Sequence, residues 1–173
     1  PATVDMPVSE IEGACPGQAG EIRIRDIPFL FTPGSLEARE SEWQKVSADT
    51  DFTHQFRLTN LLPDTLYSYS VETRAEDEYP HKGFGGQFHT APEKTAPSNF
   101  TFCVMTCQGY PDRGHPDGHD IYPAMLKLKP KFISMTGDVV YYDNDAPSAK
   151  TPELARLHWE RMFSLPRLIE TLS

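Results

Sequence analysis

Two short apolar runs, Phe100 to Met105 and Phe132 to Met135, flank a segment of helical periodicity, and this succession limits what the chain can fold into. Between the runs, Asp120 to Lys129 puts Ile121, Met125 and Leu128 on one helical face, with Tyr122 and Leu126 beside them. Asp117 or Asp120 is placed to cap the start, and Lys127, Lys129 and Pro130 mark the end. Strand, helix and strand between Phe100 and Thr136 make a βαβ unit, whose crossover sets the two strands parallel with right-handed sense. The nearly all-apolar character of Phe100 to Met105 predicts a strand covered on both faces. In α/β sheets ligands bind beyond the carboxyl ends of the strands. Cys107 and Asp138 fall just past those two ends.

The preceding residues, 1–97, read as an antiparallel β domain. Glu21 to Arg25 alternates strictly, and Asp51 to Thr59 alternates again through Phe52, Phe56 and Leu58. A Pro63-Asp64 turn leads into a strand carrying Leu66, Tyr67, Tyr69 and Val71, and a last strand runs from Phe84 to Thr90 after a turn region at Gly83 to Gly86. Short strands punctuated by Pro and Gly suggest a sandwich, and the Leu61-Leu62-Pro63-Asp64-Thr65-Leu66-Tyr67 pattern resembles the tyrosine corner of fibronectin type III domains. Val4 to Val8 reads as beginning in mid-strand, so the sandwich is expected to lack its first strand. Trp43, Phe52, Phe56 and Tyr69 are expected in its core rather than on a sugar- or peptide-binding face. Ala91 to Ser98 is a polar, Pro-containing linker, and residues 98–173 form the second part. There, Thr151-Pro152-Glu153 opens a helix through Leu154, Leu157, Arg161, Met162 and Leu165, and Arg167 to Leu172 forms a second short helix. That helix finds no further sheet to cover, so the second part reads as incomplete.

A formal charge of −9, with no local basic cluster, argues against a nucleic-acid partner. No apolar run approaches the roughly 20 residues of a membrane span, and Pro1 to Pro7 does not read as a signal peptide. Cys15, Cys103 and Cys107 form no CxxC pair, which disfavours a zinc ribbon or a thioredoxin-like site, and Cys15 has no assigned partner.

Chemistry concentrates past the two strand ends. A carboxylate at Asp138, with Gly137 letting the backbone turn sharply, can bridge two cations or merely cap a turn. Tyr141 either brings a phenol, a good donor to ferric iron, to the same point or packs at the sheet edge. Cys107 offers a thiolate that a cation would hold deprotonated. Its other roles are a small buried residue, as expected of Cys103, or a nucleophile paired with His115 or His119. Gln108-Gly109-Tyr110-Pro111 does not form the Cys-to-Arg anion cradle of a tyrosine phosphatase. The two histidines lie in a Pro/Gly-rich stretch and read as surface loop. Asp143-Asn144-Asp145 lacks the glycine and terminal Glu of an EF-hand, and His158 and Trp159 read as packing residues.

Phe100 to Gln108, Leu128 to Asp143 and the helix ending Arg161-Met162-Phe163-Ser164-Leu165-Pro166 resemble the alkaline phosphatase D (PhoD-like) group of metallophosphoesterases. Thr106-Cys107-Gln108 and Gly137-Asp138-x-x-Tyr141 are the most specific pieces; the Cys replaces the Asp-x-His opening of common metallophosphoesterases. The resemblance implies a fibronectin-like domain followed by the first βαβ unit of an α/β metallophosphoesterase domain. It implies that Cys107, Asp138 and Tyr141 ligate iron, with Asp138 also bridging to calcium. The implied reaction is hydrolysis of phosphate mono- or diesters, of small molecules or lipids, by a metal-bound hydroxide, in an extracellular or periplasmic setting. None of Asn144, Asp145 and His158 falls on a family motif, so the further ligands are expected beyond residue 173 and the chain alone is expected to be inactive. The rival reading is a non-catalytic sandwich binding module with a degenerate metal site.

Overall fold

The computed structural model describes residues 7–28, 38–75 and 79–173. The chain divides into two compact units, one of residues 17–98 with Ser173, the other of residues 1–16 together with 99–172.

The first unit is built on an antiparallel sheet. β1 (Gly20–Pro28) pairs with β2 (Arg39–Glu40), with β3 (Gln44–Val46) and with β4 (Leu66–Arg74), and β4 pairs with β5 (His81–His89). The alternation at Glu21 to Arg25 does its work: Ile24 is buried, while Arg23 points to the other face and lies over Trp43, as Arg74 also does. Glu72 and Glu40 pair with Arg23 and Glu21 pairs with Arg74, so Trp43 belongs to a cation–aromatic ladder on that face rather than to the core. Tyr67 is the buried centre of the sheet. Its hydroxyl accepts the Leu62 backbone N–H at 2.9 Å, closing the Pro63-Asp64 turn, and its ring stacks on Phe88.

Three expectations are corrected here. Residues 53–59 pair with no strand among the described residues. Asp51, Phe52 and Asn60 all have φ near +50°, so left-handed residues bracket the stretch and break its extension at both ends. The glycine-rich segment 83–86 is strand and not turn: a side chain at Gly85 would meet the Tyr69 carbonyl oxygen at 2.8 Å, and the register slips between Ser70 and Glu72. Val8–Glu10 is a 3-10 turn, while Val4 to Met6 lie outside the described residues.

The second unit contains the βαβ unit. β6 (Phe102–Met105) and β7 (Phe132–Met135) pair in parallel, Phe102 opposite Phe132 and Met105 opposite Met135, with α1 (Ile121–Lys127) between them. Cys103, Met105, Tyr110, Tyr122, Met125, Val139, Met162, Leu165 and Leu168 form its core. α2 (Pro152–Phe163) starts as its sequence dictates, the Thr151 hydroxyl accepting the Leu154 N–H with Pro152 in the first turn. α3 (Pro166–Leu172) follows directly.

The strands are covered on one face only. Phe100, Phe102, Val104 and Phe132 remain 57, 50, 56 and 49% exposed, contrary to the two-sided burial expected of β6. α1 turns a different face inward as well: Tyr122 and Met125 are buried, and Ile121 and Leu128 are exposed. The reason is Tyr122, whose large ring fills the core while its hydroxyl finds a buried acceptor. Asp120 takes the cap position, but its carboxylate pairs with Arg167 instead of a helix N–H.

Candidate functional site

Chain continuity brings β6 and β7 to an end together, and the two loops that follow are fastened to each other at once. The Gln108 N–H donates to the Asp138 carbonyl at 2.7 Å, and the Thr106 hydroxyl donates to the Gly137 carbonyl at 3.1 Å. Both leading candidates sit in left-handed backbone, Cys107 at φ +55° and Asp138 at φ +51°, and Gly137 lies at φ +117°. Non-glycine residues adopt this region at a cost of order 1–2 kcal/mol. Two of them facing each other across a sheet edge is the kind of stored strain that clusters at functional sites.

The effect of this backbone is convergence. The Cys107 Sγ lies 3.6 Å from Asp138 Oδ2, and the Tyr141 hydroxyl lies 3.4 Å from the same oxygen. A thiol, a carboxylate and a phenol thus meet at one exposed point beyond the carboxyl ends of two parallel strands. The Tyr141 contact is long for a hydrogen bond to a carboxylate, and the Cys107 contact is ordinary for sulfur. They match donor spacing round a small cation, whose ligands at roughly 2.0–2.3 Å stand about 3–4 Å from one another. Hydrogen bonding to the Cys107 thiol, with the Asp138 carboxylate alongside, pushes the Tyr141 phenol up to about 12. Thiolate, carboxylate and phenolate are all anionic donors, a set that suits a bound cation. Among the described residues, no group of three or more His, Cys, Asp and Glu side chains gathers as a cation site.

Other candidates go elsewhere. His115 uses Nδ1 to accept the Asp117 N–H within its own turn, and His119 packs edge-on against Tyr122, where burial lowers its pKa. The side chains meeting Cys107 are those of Thr106, Asp138 and Tyr141, so the structure brings no Cys–His pair together. Cys103 is buried on β6 as expected, and all three cysteines are thiols. The Asp143-Asn144-Asp145 run does not present a row of ligands, because Asp145 turns inward and is buried.

Several residues named in the sequence without a supporting role have one in the structure. Gln108 is buried, its Oε1 accepting from the Tyr122 hydroxyl while its Nε2 has no partner among the described residues. Burial pushes the Tyr122 phenol up to about 12, so it is a fixed donor at neutral pH. His158, read as packing, makes two polar contacts, and Arg161 is buried beside it. A charged residue within the apolar stripe Leu154, Leu157, Met162, Leu165 was the available signal, since a buried guanidinium needs partners.

No protein-family model matches the sequence, and neither does any curated protein. Among solved structures, the chain is similar to one described as "Structure of PhoD", with a TM-score of 0.70 and 19% identity over 95% of this chain. The match covers 32% of that structure's chain, so the sequence here spans about a third of its length. At that identity the likeness is one of fold.

Proposed function

We propose that Cys107, Asp138 and Tyr141 hold an iron ion, that Asp138 also bridges to calcium, and that the protein containing this chain hydrolyses phosphate mono- or diesters. The observation that carries this reading is the meeting of thiol, carboxylate and phenol on Asp138 Oδ2. Its place beyond the ends of parallel strands supports the reading, as does a fold shared with the PhoD structure. On this reading the sheet-bearing unit within residues 1–97 is a fibronectin-like domain, for which the Tyr67–Leu62 bond is support, and residues 98–173 begin the metallophosphoesterase domain. The setting is extracellular or periplasmic, and the substrate is a small-molecule or lipid phosphoester.

Cations at this point would supply Lewis acidity toward a phosphoryl oxygen and acidify water. The chain's own residues supply placement. Left-handed backbone at Cys107 and Asp138 aims both donors outward, and the Gln108–Asp138 bond fixes the gap between their loops. Three donors alone offset a cation's dehydration poorly, so the isolated chain is expected to turn over little substrate.

The test is release of p-nitrophenol from p-nitrophenyl phosphate and its bis-ester by the longest natural protein containing this chain, with iron and calcium supplied. Asp138→Asn is expected to lower kcat at least a hundredfold. Unchanged turnover in both Cys107→Ala and Asp138→Asn would overturn the proposal.

A further inference from the structure

The segment that carries Tyr141 continues to Pro147, and its far end is held from a direction that the proposed chemistry does not use. Asp145 Oδ2 accepts the Tyr110 N–H at 3.3 Å, a second tie between the loops after β6 and β7, farther along the chain than the Gln108–Asp138 bond. Arg161 Nη1 donates to the Ala146 carbonyl at 2.9 Å, and its Nη2 lies 4.0 Å from Asp145 Oδ2. The same guanidinium lies over the Tyr110 ring, 4.6 Å from its centroid. His158 Nε2 meets the Pro147 carbonyl at 2.9 Å, and His158 Nδ1 meets Arg161 Nη2 at 2.8 Å. Arg161 and His158 are 3 and 1% exposed, on one side of α2.

These contacts fix the state of the imidazole. A guanidinium only donates, so His158 Nδ1 must be the acceptor. A carbonyl only accepts, so His158 Nε2 must carry the proton. The ring is therefore neutral and in one tautomer. A second proton, on Nδ1, would set donor against donor and cation against cation at 2.8 Å.

We propose that Asp145, His158 and Arg161 form a positioning clamp that sets the separation of the Cys107 loop from the Asp138–Tyr141 loop, and that the clamp holds only while the His158 imidazole is neutral. The proposal rests on the site reading above for its purpose, but its mechanics rest on these contacts alone. The charged and titratable groups facing the pair are few. Arg161 comes from His158's own helix, and Asp145 and Tyr142 come from the 137–147 segment, Tyr142 with its ring edge-on to the imidazole. Tyr110 and Arg113 stand against Arg161 from the loop after β6, and Glu12 pairs with Arg113. Asp145 is an anion acting on His158, and its carboxylate is already engaged by the Tyr110 N–H and Arg161. Burial first, and Arg161 next to it, hold the His158 pKa below its ordinary 6.5.

His158→Gln is the informative variant, because a glutamine offers the same donor–acceptor pair and does not titrate. The readouts are hydrogen exchange at the Tyr110 and Gln108 amides, corrected for intrinsic pH dependence, and the affinity for ferric iron followed by its visible phenolate band. As pH falls from 7.5 to 4.5, wild-type protection at Tyr110 is expected to fall at least twofold more than in His158→Gln. His158→Ala is expected to show the low protection at both pH values and to bind iron at least tenfold more weakly. Equal pH responses in wild type and His158→Gln would overturn the proposal, as would unaltered protection in His158→Ala. Should His158→Ala fail to fold, the wild-type and His158→Gln comparison decides alone. If protection follows the pattern but no form binds iron, the clamp stands and the metal reading falls; if iron binds equally in all forms, the clamp falls.

Discussion

At the residue scale, the site depends on backbone conformations that most side chains avoid. Gly137 stands at φ +117° with open space round the position of a Cβ, so a substitution there meets strain without a clash. Gly137→Ala is expected to cost roughly 1–3 kcal/mol in chemical denaturation. A loss below about 0.5 kcal/mol would show that the turn is relaxed. Cys107 and Asp138 carry similar conformations with side chains attached, and nothing in their residue types announced it. Sequence reasoning reached the three converging donors because each lies just past a strand end or on the loop that follows. It did not reach the roles of Gln108 and Arg161, which depend on which way a loop and a helix turn.

At the element scale, α1 anchors the loop that carries Cys107. Tyr122 donates to Gln108 Oε1, and since Gln108 Nε2 already lacks a partner, Tyr122→Phe strands the whole buried amide. The expected cost is about 1–3 kcal/mol, with the Gln108 amide proton shifted in NMR spectra. The helix itself was legible from periodicity, but its inward face was not. Ile121, Met125, Leu128 and Tyr122, Met125 are neighbouring stripes, and only the buried acceptor for the Tyr122 hydroxyl chooses between them. Strand pairing was legible where alternation coincided with a partner, as in β1 and β4, and misleading at residues 53–59, where left-handed residues end the extension. His119 and His158 both have pKa values lowered chiefly by burial, so the unfolded chain binds protons more readily than the folded one. Stability is therefore expected to be fully present above about 6.5 and to decline as pH falls through the lowered folded values. A melting temperature constant from pH 7.5 to 5 would contradict this.

At the scale of the whole molecule, the parallel pair β6–β7 leaves Phe100, Phe102, Val104 and Phe132 as a contiguous aromatic patch, with the Phe102 and Phe132 rings stacked. Parallel strands are ordinarily buried on both faces, so this patch is expected to bind a hydrophobic dye. Phe102→Ser with Phe132→Ser is expected to reduce that binding by more than half without loss of helical circular dichroism. Sequence pattern foretold the apolar run but not its one-sided exposure, because an apolar run records what a strand can bury and not what is present to bury it.

The central claim is that thiol, carboxylate and phenol act as one cation site, and titration of the longest natural protein containing this chain with ferric iron tests it most directly. The account predicts a visible phenolate band that is abolished in Tyr141→Phe, and binding weakened at least tenfold in Cys107→Ala and Asp138→Asn. Iron binding of equal strength in the wild-type protein and all three variants, with the band retained in Tyr141→Phe, would contradict it.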